Sequence, residues 1–158
     1  MHLYPASLLI SAAVLIPNLI FLALPPRNIE KHGKSSGSFL FTILERVGQA
    51  SSFVLPVFFP FSFSGILATS AWIAMGLTLA FYYAGWARYL FRGRNYALLF
   101  MPTAGIPVPM AVSPVLYFLV SSVVLGSIYQ AIAAVVLGIG HITISTREYL
   151  GLRGASSL

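Results

Sequence analysis

The sequence predicts an all-α, polytopic integral membrane protein: a bundle of five transmembrane helices with the N-terminus outside and the C-terminus cytoplasmic. Three observations carry this expectation. Of 158 residues, 58% are apolar and only 8% are charged, which is more apolar surface than one small soluble core could hide. The nine basic and three acidic residues leave residues 1–26, 47–87 and 95–146 without charge. At about 20 residues per crossing, these stretches read as one, two and two spans. With five spans and the N-terminus outside, every Lys and Arg falls on the inner side, as the distribution of basic loops requires.

The elements follow in order along what reads as one membrane domain, residues 1–158. The first span covers residues 4–24. Its basic residues, Arg27, Lys31 and Lys34, follow rather than precede the apolar run, the reverse of a cleaved signal peptide. Pro25 and Pro26 end it, and the polar segment to Ser38 reads as a linker. A second span covers 39–61 and carries Glu45 and Arg46. Ser62–Gly65 make a turn, and the third span covers 66–91. Residues 101–109 hold three prolines and a glycine, so this stretch is irregular backbone rather than helix. A fourth span covers 110–125, a turn falls at Gly126-Ser127, and a fifth span covers 128–146. The expected location is a cell membrane, inner or plasma, with several passes.

Composition also excludes chemistry. The chain has no Asp and no Cys, and its acids are Glu30, Glu45 and Glu148. Paired-aspartate proteolysis, acidic Mg²⁺ clusters, thiol relays and Cys-ligated metals are therefore outside its reach. Both lysines lie in the linker, so no span offers an amine for a Schiff base. With His2, His32 and His141 alone, a haem held between two intramembrane histidines is not expected. No cofactor, metal or nucleic acid is anticipated. The Arg-His-Pro signature of integral-membrane methyltransferases is missing, since Gly140 precedes His141. Rhomboid-like serine chemistry fails because Ser64 belongs to the outer turn and His141 to the inner half.

Polar residues inside the spans are the candidate binding groups. Glu45 lies about 17 residues from the outer turn, or ~25 Å at 1.5 Å per residue, within a core ~30 Å thick. An acid at that depth needs a partner or water. A hairpin centred near Gly65 places Arg88 opposite it, with Arg92 one turn further in, so an ion pair between Glu45 and Arg88 is expected. Glu45, Gln49, Ser52 and Pro56 share one helical face. On the fifth span, Ser127, Gln130, Ala134, Gly138, His141, Ser145 and Glu148 form a small and polar stripe that should point into the bundle. Folding the last two spans back from Gly126 sets residues 102–109 level with His141–Glu148. Their unpaired carbonyls, with Thr103 and Gly105, would then line a wet cavity. Ser7, Ser11 and Asn18 read as interhelical hydrogen-bonding groups. Tyr82, Tyr83, Trp86 and Tyr89 read as an aromatic belt.

The expected function is binding or moving a small solute or lipid through a polar cavity open to the cytoplasm, built from Glu45, Gln49, Arg88, Thr103, Gly105, His141, Ser145 and Glu148. Two alternatives stay open: a cytoplasmic-leaflet enzyme acting on a lipid head group with His141 as acid or base, and a non-catalytic scaffold subunit. A transporter needs the polar stripe to continue outward through Gln130 and Ser127, whereas an enzyme needs polarity only at the inner end. The expected partners are membrane lipids, with anionic head groups drawn to the linker and to Arg88–Arg94. A homo-oligomer is compatible with the sequence.

Overall fold

The computed structural model describes residues 2–28 and 38–155. Glu30, Lys31 and Lys34, on which the basic-linker reading partly rests, lie outside them. The protein is all-α: helix α1 spans Leu8–Ala23, α2 Phe39–Val54, α3 Ile66–Phe91, α4 Pro109–Val124 and α5 Ile128–Ala155. Short 3₁₀ turns occupy Pro5–Ser7, Leu55–Phe58 and Tyr96–Leu99. Among the described residues there are no strands, only isolated bridges at Asn28–Asn95 and Thr103–Ile106. Three stretches are long and apolar enough to cross a membrane: Pro5–Ala23, Ile66–Phe91 and Ile128–Gly154.

Local chemistry sets the boundaries. Pro56 lacks the N–H that would bond to Ser52, so α2 stops at Val54 and residues 59–65 run on without helix, instead of the regular span expected to Phe61. At 1.5 Å per residue, a 16-residue α2 is about 24 Å long. Gly93, with φ of +77°, closes α3, and the Arg94 N–H donates back to the Tyr89 carbonyl at 3.0 Å, the glycine-dependent C-terminal cap. Pro109 opens α4, where its missing N–H costs nothing. Helix α5 runs nine residues past the expected end at Thr146, to Ala155.

Packing follows sequence order at α3–α4 and α4–α5 but not at α2, whose chief partner is α5 rather than α3. Helix α2 packs chiefly on α5, α5 on α4, and α4 on α3, while α1 touches both α2 and α3 and closes the ring. Paired residues run in opposite senses in α2 and α5, where Gly48 meets Leu137 and Gly140 meets Glu45. The opposed pairing of Ser62 with Val124 sets the start of α3 beside the end of α4. One end of the bundle therefore gathers the end of α1, the start of α2, the end of α3, the start of α4 and the end of α5. The described arginines lie toward this basic end: Arg27, Arg46, Arg88, Arg92, Arg94, Arg147 and Arg153.

Helix breaks leave carbonyls without their intrahelical donors, and neighbouring helices supply substitutes. Pro17 releases the Ala13 carbonyl, which accepts from the Tyr83 hydroxyl at 2.8 Å. Pro56 releases that of Ser52, which accepts from Gln130 Nε2 at 3.3 Å. Around the same break, Ser11 donates to the Phe53 carbonyl at 2.8 Å and Ser7 to that of Phe59 at 2.7 Å. The Tyr89 hydroxyl reaches the carbonyl of Leu24 where α1 has ended. These bonds correct the belt reading: Tyr82, Trp86 and Tyr89 are buried at 4%, 7% and 0% exposure, inside the ring rather than at a lipid interface.

The α2–α5 crossing depends on two glycines. A Cβ on Gly140 would lie 2.7 Å from Glu45 Cα and 2.8 Å from the Phe41 carbonyl oxygen, so the helices would have to move apart. Gly140→Ala is expected to destabilise the purified protein by about 1–3 kcal/mol, the usual size of overpacking. Gly151→Ala, with open space around its Cβ, is expected to be neutral or slightly stabilising. Thermal unfolding in detergent, comparing the two variants, checks this.

Candidate functional site

The Gly140 crossing brings two ionisable side chains together. Because α5 lies backbone-to-backbone on α2 at Glu45, the next residue, His141, reaches the carboxylate: His141 Nδ1 is 2.6 Å from Glu45 Oε1. The side chains are 33% and 22% exposed, respectively, so the pair sits at the edge of open space. With Glu45 ionised, Nδ1–H donates to its carboxylate. The expected pairing of Glu45 with Arg88 is thus corrected. Glu45 is on α2, which packs on α5, whereas Arg88 is on α3, which packs on α4.

Arg88 instead holds the chain after α3. Its guanidinium donates to Thr103 Oγ1, to the Leu98 carbonyl at 2.6 Å and to the Met101 carbonyl at 3.1 Å. Thr103 and Ile106 exchange backbone hydrogen bonds at 3.2 and 3.0 Å. The carbonyls expected to line a cavity are therefore partly spent on this clamp and turn. Thr103 and the exposed Gly105, at φ +78°, belong to the turn and line neither cavity described below. Gln49 is half-buried on α2 and likewise lines neither. The residues from Tyr96 to Pro102 form a strap across the basic end.

Beneath the strap, inside the ring, is a cavity of about 180 Å³. His141 and Ser145 from α5, Asn18 from α1, and Tyr82 and Trp86 from α3 supply its polar groups, while Leu99 and Phe100 of the strap form part of its wall. At ~30 Å³ per water, it has room for roughly six waters or one small polar group. Trp86 Nε1 is itself buried, next to the Tyr82 side chain.

Glu148, the inner end of the α5 stripe, accepts from the Tyr96 hydroxyl at 3.2 Å. Burial, together with the adjacent Glu148 carboxylate, pushes the Tyr96 phenol up to about 12, so it stays a donor at physiological pH. The outer half of the stripe is packed solid. Ser127 caps α5 by accepting from the Gln130 N–H at 3.3 Å, and Ser127, Gln130 and Ala134 are 3%, 0% and 0% exposed. Among the described residues no group of three His, Cys, Asp or Glu side chains gathers as a metal site would.

Comparison with known proteins gives no match. No family model, no curated protein and no solved structure matches the chain. The site is therefore read from its own chemistry. Of the residues expected to form the site, His141 and Ser145 line the smaller cavity and Glu45 meets it only through His141, while Asn18, Tyr82 and Trp86, expected as packing and belt groups, line it as well. Their spacing of aromatic and polar residues at one helix end is shared by interfacial belts, and only the ring order of the helices separates the two.

A double-mutant cycle tests the pair. Glu45→Gln and His141→Gln should show a coupling of about 1 kcal/mol or more in unfolding free energy, as contacting polar groups do. Glu45→Gln with Arg88→Gln should add within about 0.5 kcal/mol. Coupling confined to the second cycle would refute the observed pairing.

Proposed function

We propose that the protein crosses a cell membrane five times, with its basic end in the cytoplasm, and binds a small solute or a lipid head group in the cavity beside His141. The membrane reading is supported by the three long apolar helices and by apolar side chains left outside the ring, among them Leu22, Phe39, Ile66, Leu77 and Ile132. The two shorter helices, α2 and α4, each pack antiparallel to α5 in the same ring and are read as the remaining spans. The orientation is supported by the collection of described arginines at one end.

One observation carries the binding reading: polar groups from three helices, Asn18, Tyr82, Trp86, His141 and Ser145, converge on one cavity in an otherwise apolar bundle. Binding is favoured over transport because the outer half of the α5 stripe is tied into packing. A membrane enzyme is the second reading, and the Glu45–His141 contact is what favours it. A carboxylate holding one imidazole nitrogen leaves the other oriented as a base.

Topology is checked by single cysteines. Ser64→Cys, on the exposed turn before α3, should react with an impermeant thiol reagent from outside intact cells. Gly151→Cys, exposed on α5 at the basic end, should react only after permeabilisation, and the opposite pattern would reverse the orientation. For binding, the protein purified in mild detergent is screened against small polar solutes and short-chain lipids by thermal shift. A stabilising compound should lose at least tenfold in affinity on His141→Ala or Trp86→Phe. A hit insensitive to both would place binding elsewhere.

A further inference from the structure

Hydroxyls on the helices of this protein commonly bond to their own backbone. Those of Thr69, Thr78, Ser113, Ser121 and Ser122 each donate to a carbonyl one turn back, at 2.6–3.1 Å. Ser145 on α5 is only 6% exposed, yet its hydroxyl makes no hydrogen bond among the described residues, and it lines the cavity beside His141. A buried hydroxyl without a partner calls for an explanation. His141 borders the same cavity one turn earlier on the same helix, and the Glu45 carboxylate holds its Nδ1 at 2.6 Å. We propose that Glu45, His141 and Ser145 form an acid–histidine–serine relay that hydrolyses a carboxylic ester, with Ser145 as the nucleophile.

Residues four apart on a helix have Cβ atoms about 5–6 Å apart, and the later side chain leans back over the turn of the earlier one. Ser145 Oγ and the His141 ring therefore share one side of α5. The hydrogen bond from Oγ to Nε2 is one that forms with substrate in place, as catalytic hydrogen bonds commonly do. Nε2 of the neutral imidazole takes the Oγ proton while Oγ bonds to the ester carbonyl carbon, whose π pair moves onto oxygen. Collapse breaks the bond to the alcohol, which leaves with the proton from His141. Water then repeats the sequence on the acyl-serine, releasing the carboxylic acid and restoring the hydroxyl. Glu45 keeps the ring in place and balances its charge between steps. Asn18, on the same cavity, gives one N–H to the Val14 carbonyl at 2.9 Å, and its Oδ1 accepts from the Tyr82 hydroxyl at 3.4 Å. Its second N–H is the donor for the developing oxyanion.

The cavity limits the substrate. Its volume is about 180 Å³ and Phe21, Leu99 and Met110 make part of it apolar. A dry cavity of about 150 Å³ holds benzene, so the enclosed acyl group is short and apolar, roughly four to six carbons. A larger cavity, about 580 Å³, opens on the other side of the strap, lined by Asn28, Asn95, Tyr149 and Arg153 among others, but neither His141 nor Ser145 borders it. The reacting bond therefore belongs to the smaller space. The proposal rests on the enzymatic reading above, and it can fail while the binding reading stands: a compound that binds beside His141 in a chain whose Ser145 is unreactive would separate the two.

The test uses the full chain in maltoside micelles with a tagged alkyl fluorophosphonate, the adduct being located by mass spectrometry. Phosphonylation should fall on Ser145, vanish in Ser145→Ala, slow at least tenfold in His141→Gln and at least fivefold in Glu45→Gln, and stay within twofold in Ser122→Ala. Hydrolysis of p-nitrophenyl butyrate should be lost with Ser145→Ala. The chain has no cysteine, so Ser145→Cys places a single thiol at the site. At pH 7 that thiol should react with iodoacetamide at least tenfold faster than it does when His141→Gln is added, because an adjacent imidazole favours the thiolate. A serine with only a structural role predicts no such difference. No adduct at Ser145 in the wild-type chain would overturn the nucleophile. Equal rates in the two thiol variants, whatever their level, would overturn the base.

Discussion

The structure depends on one constraint: in an apolar bundle, a backbone carbonyl released by a helix break must find its donor inside the protein. Water cannot serve it there, and each orphaned group would cost about 1–3 kcal/mol. Pro17 and Pro56 both release such carbonyls, and the answering donors, Tyr83 and Gln130, come from helices distant in sequence. These bonds fix which helix lies beside which. Gln130 can reach the Ser52 carbonyl only if α5 lies on α2, and Tyr83 can reach the Ala13 carbonyl only if α1 lies on α3. The prolines thus set the assembly as well as the shape of single helices.

The same constraint sorts the polar residues of this chain by task. Ser7, Ser11, Tyr83, Tyr89 and Gln130 are engaged in answering backbone carbonyls, and Arg88 clamps two more in the strap. What is left beyond these repairs is concentrated at the basic end: the open side of His141 beside Glu45, with Ser145. Polar groups that stabilise nothing by themselves are the ones a ligand would explain. The exception is deep in the ring. Ser52 Oγ and Gln130 Oε1 are buried without partners among the described residues, but neither borders a cavity described here.

Much of the fold was legible because charge and proline are punctuation that any apolar environment obeys. The stops at Pro25-Pro26, the irregular 101–108 and the turn at Gly126 follow from the residues alone. Pairing was not legible. The sequence argument set Glu45 against Arg88 by assuming a regular helical hairpin turning at Gly65. In the structure residues 59–61, expected as helix, join the expected turn 62–65 in one non-helical stretch that carries α3 away from α2. Extended backbone rises about twice as far per residue as helix, so depth counted along an ideal helix loses its meaning there. The close approach of Gly140 to Glu45, which brings His141 to the acid, is a tertiary event that a single glycine in an apolar run does not announce. The same holds for the cavity role of Asn18, Tyr82 and Trp86, which depends on α1 and α3 both facing the ring interior.

The α5 stripe divides this reading from a transporter. Read as sequence, Ser127 to Glu148 is one continuous polar path. In the folded chain its outer half is used up: Ser127 caps its own helix, Gln130 answers Ser52, and a Cβ on Gly138 would come within 3.0 Å of Val115. Opening a route along it would orphan the Ser52 carbonyl and the Gln130 amide in the apolar interior, at about 1–3 kcal/mol each, and would undo close packing as well. Occupying the inner half breaks none of these bonds. A ligand that enters from the basic end and leaves by the same end asks the least of this structure, and it is the inner half, where repair has left polar groups over, that has the means to hold one.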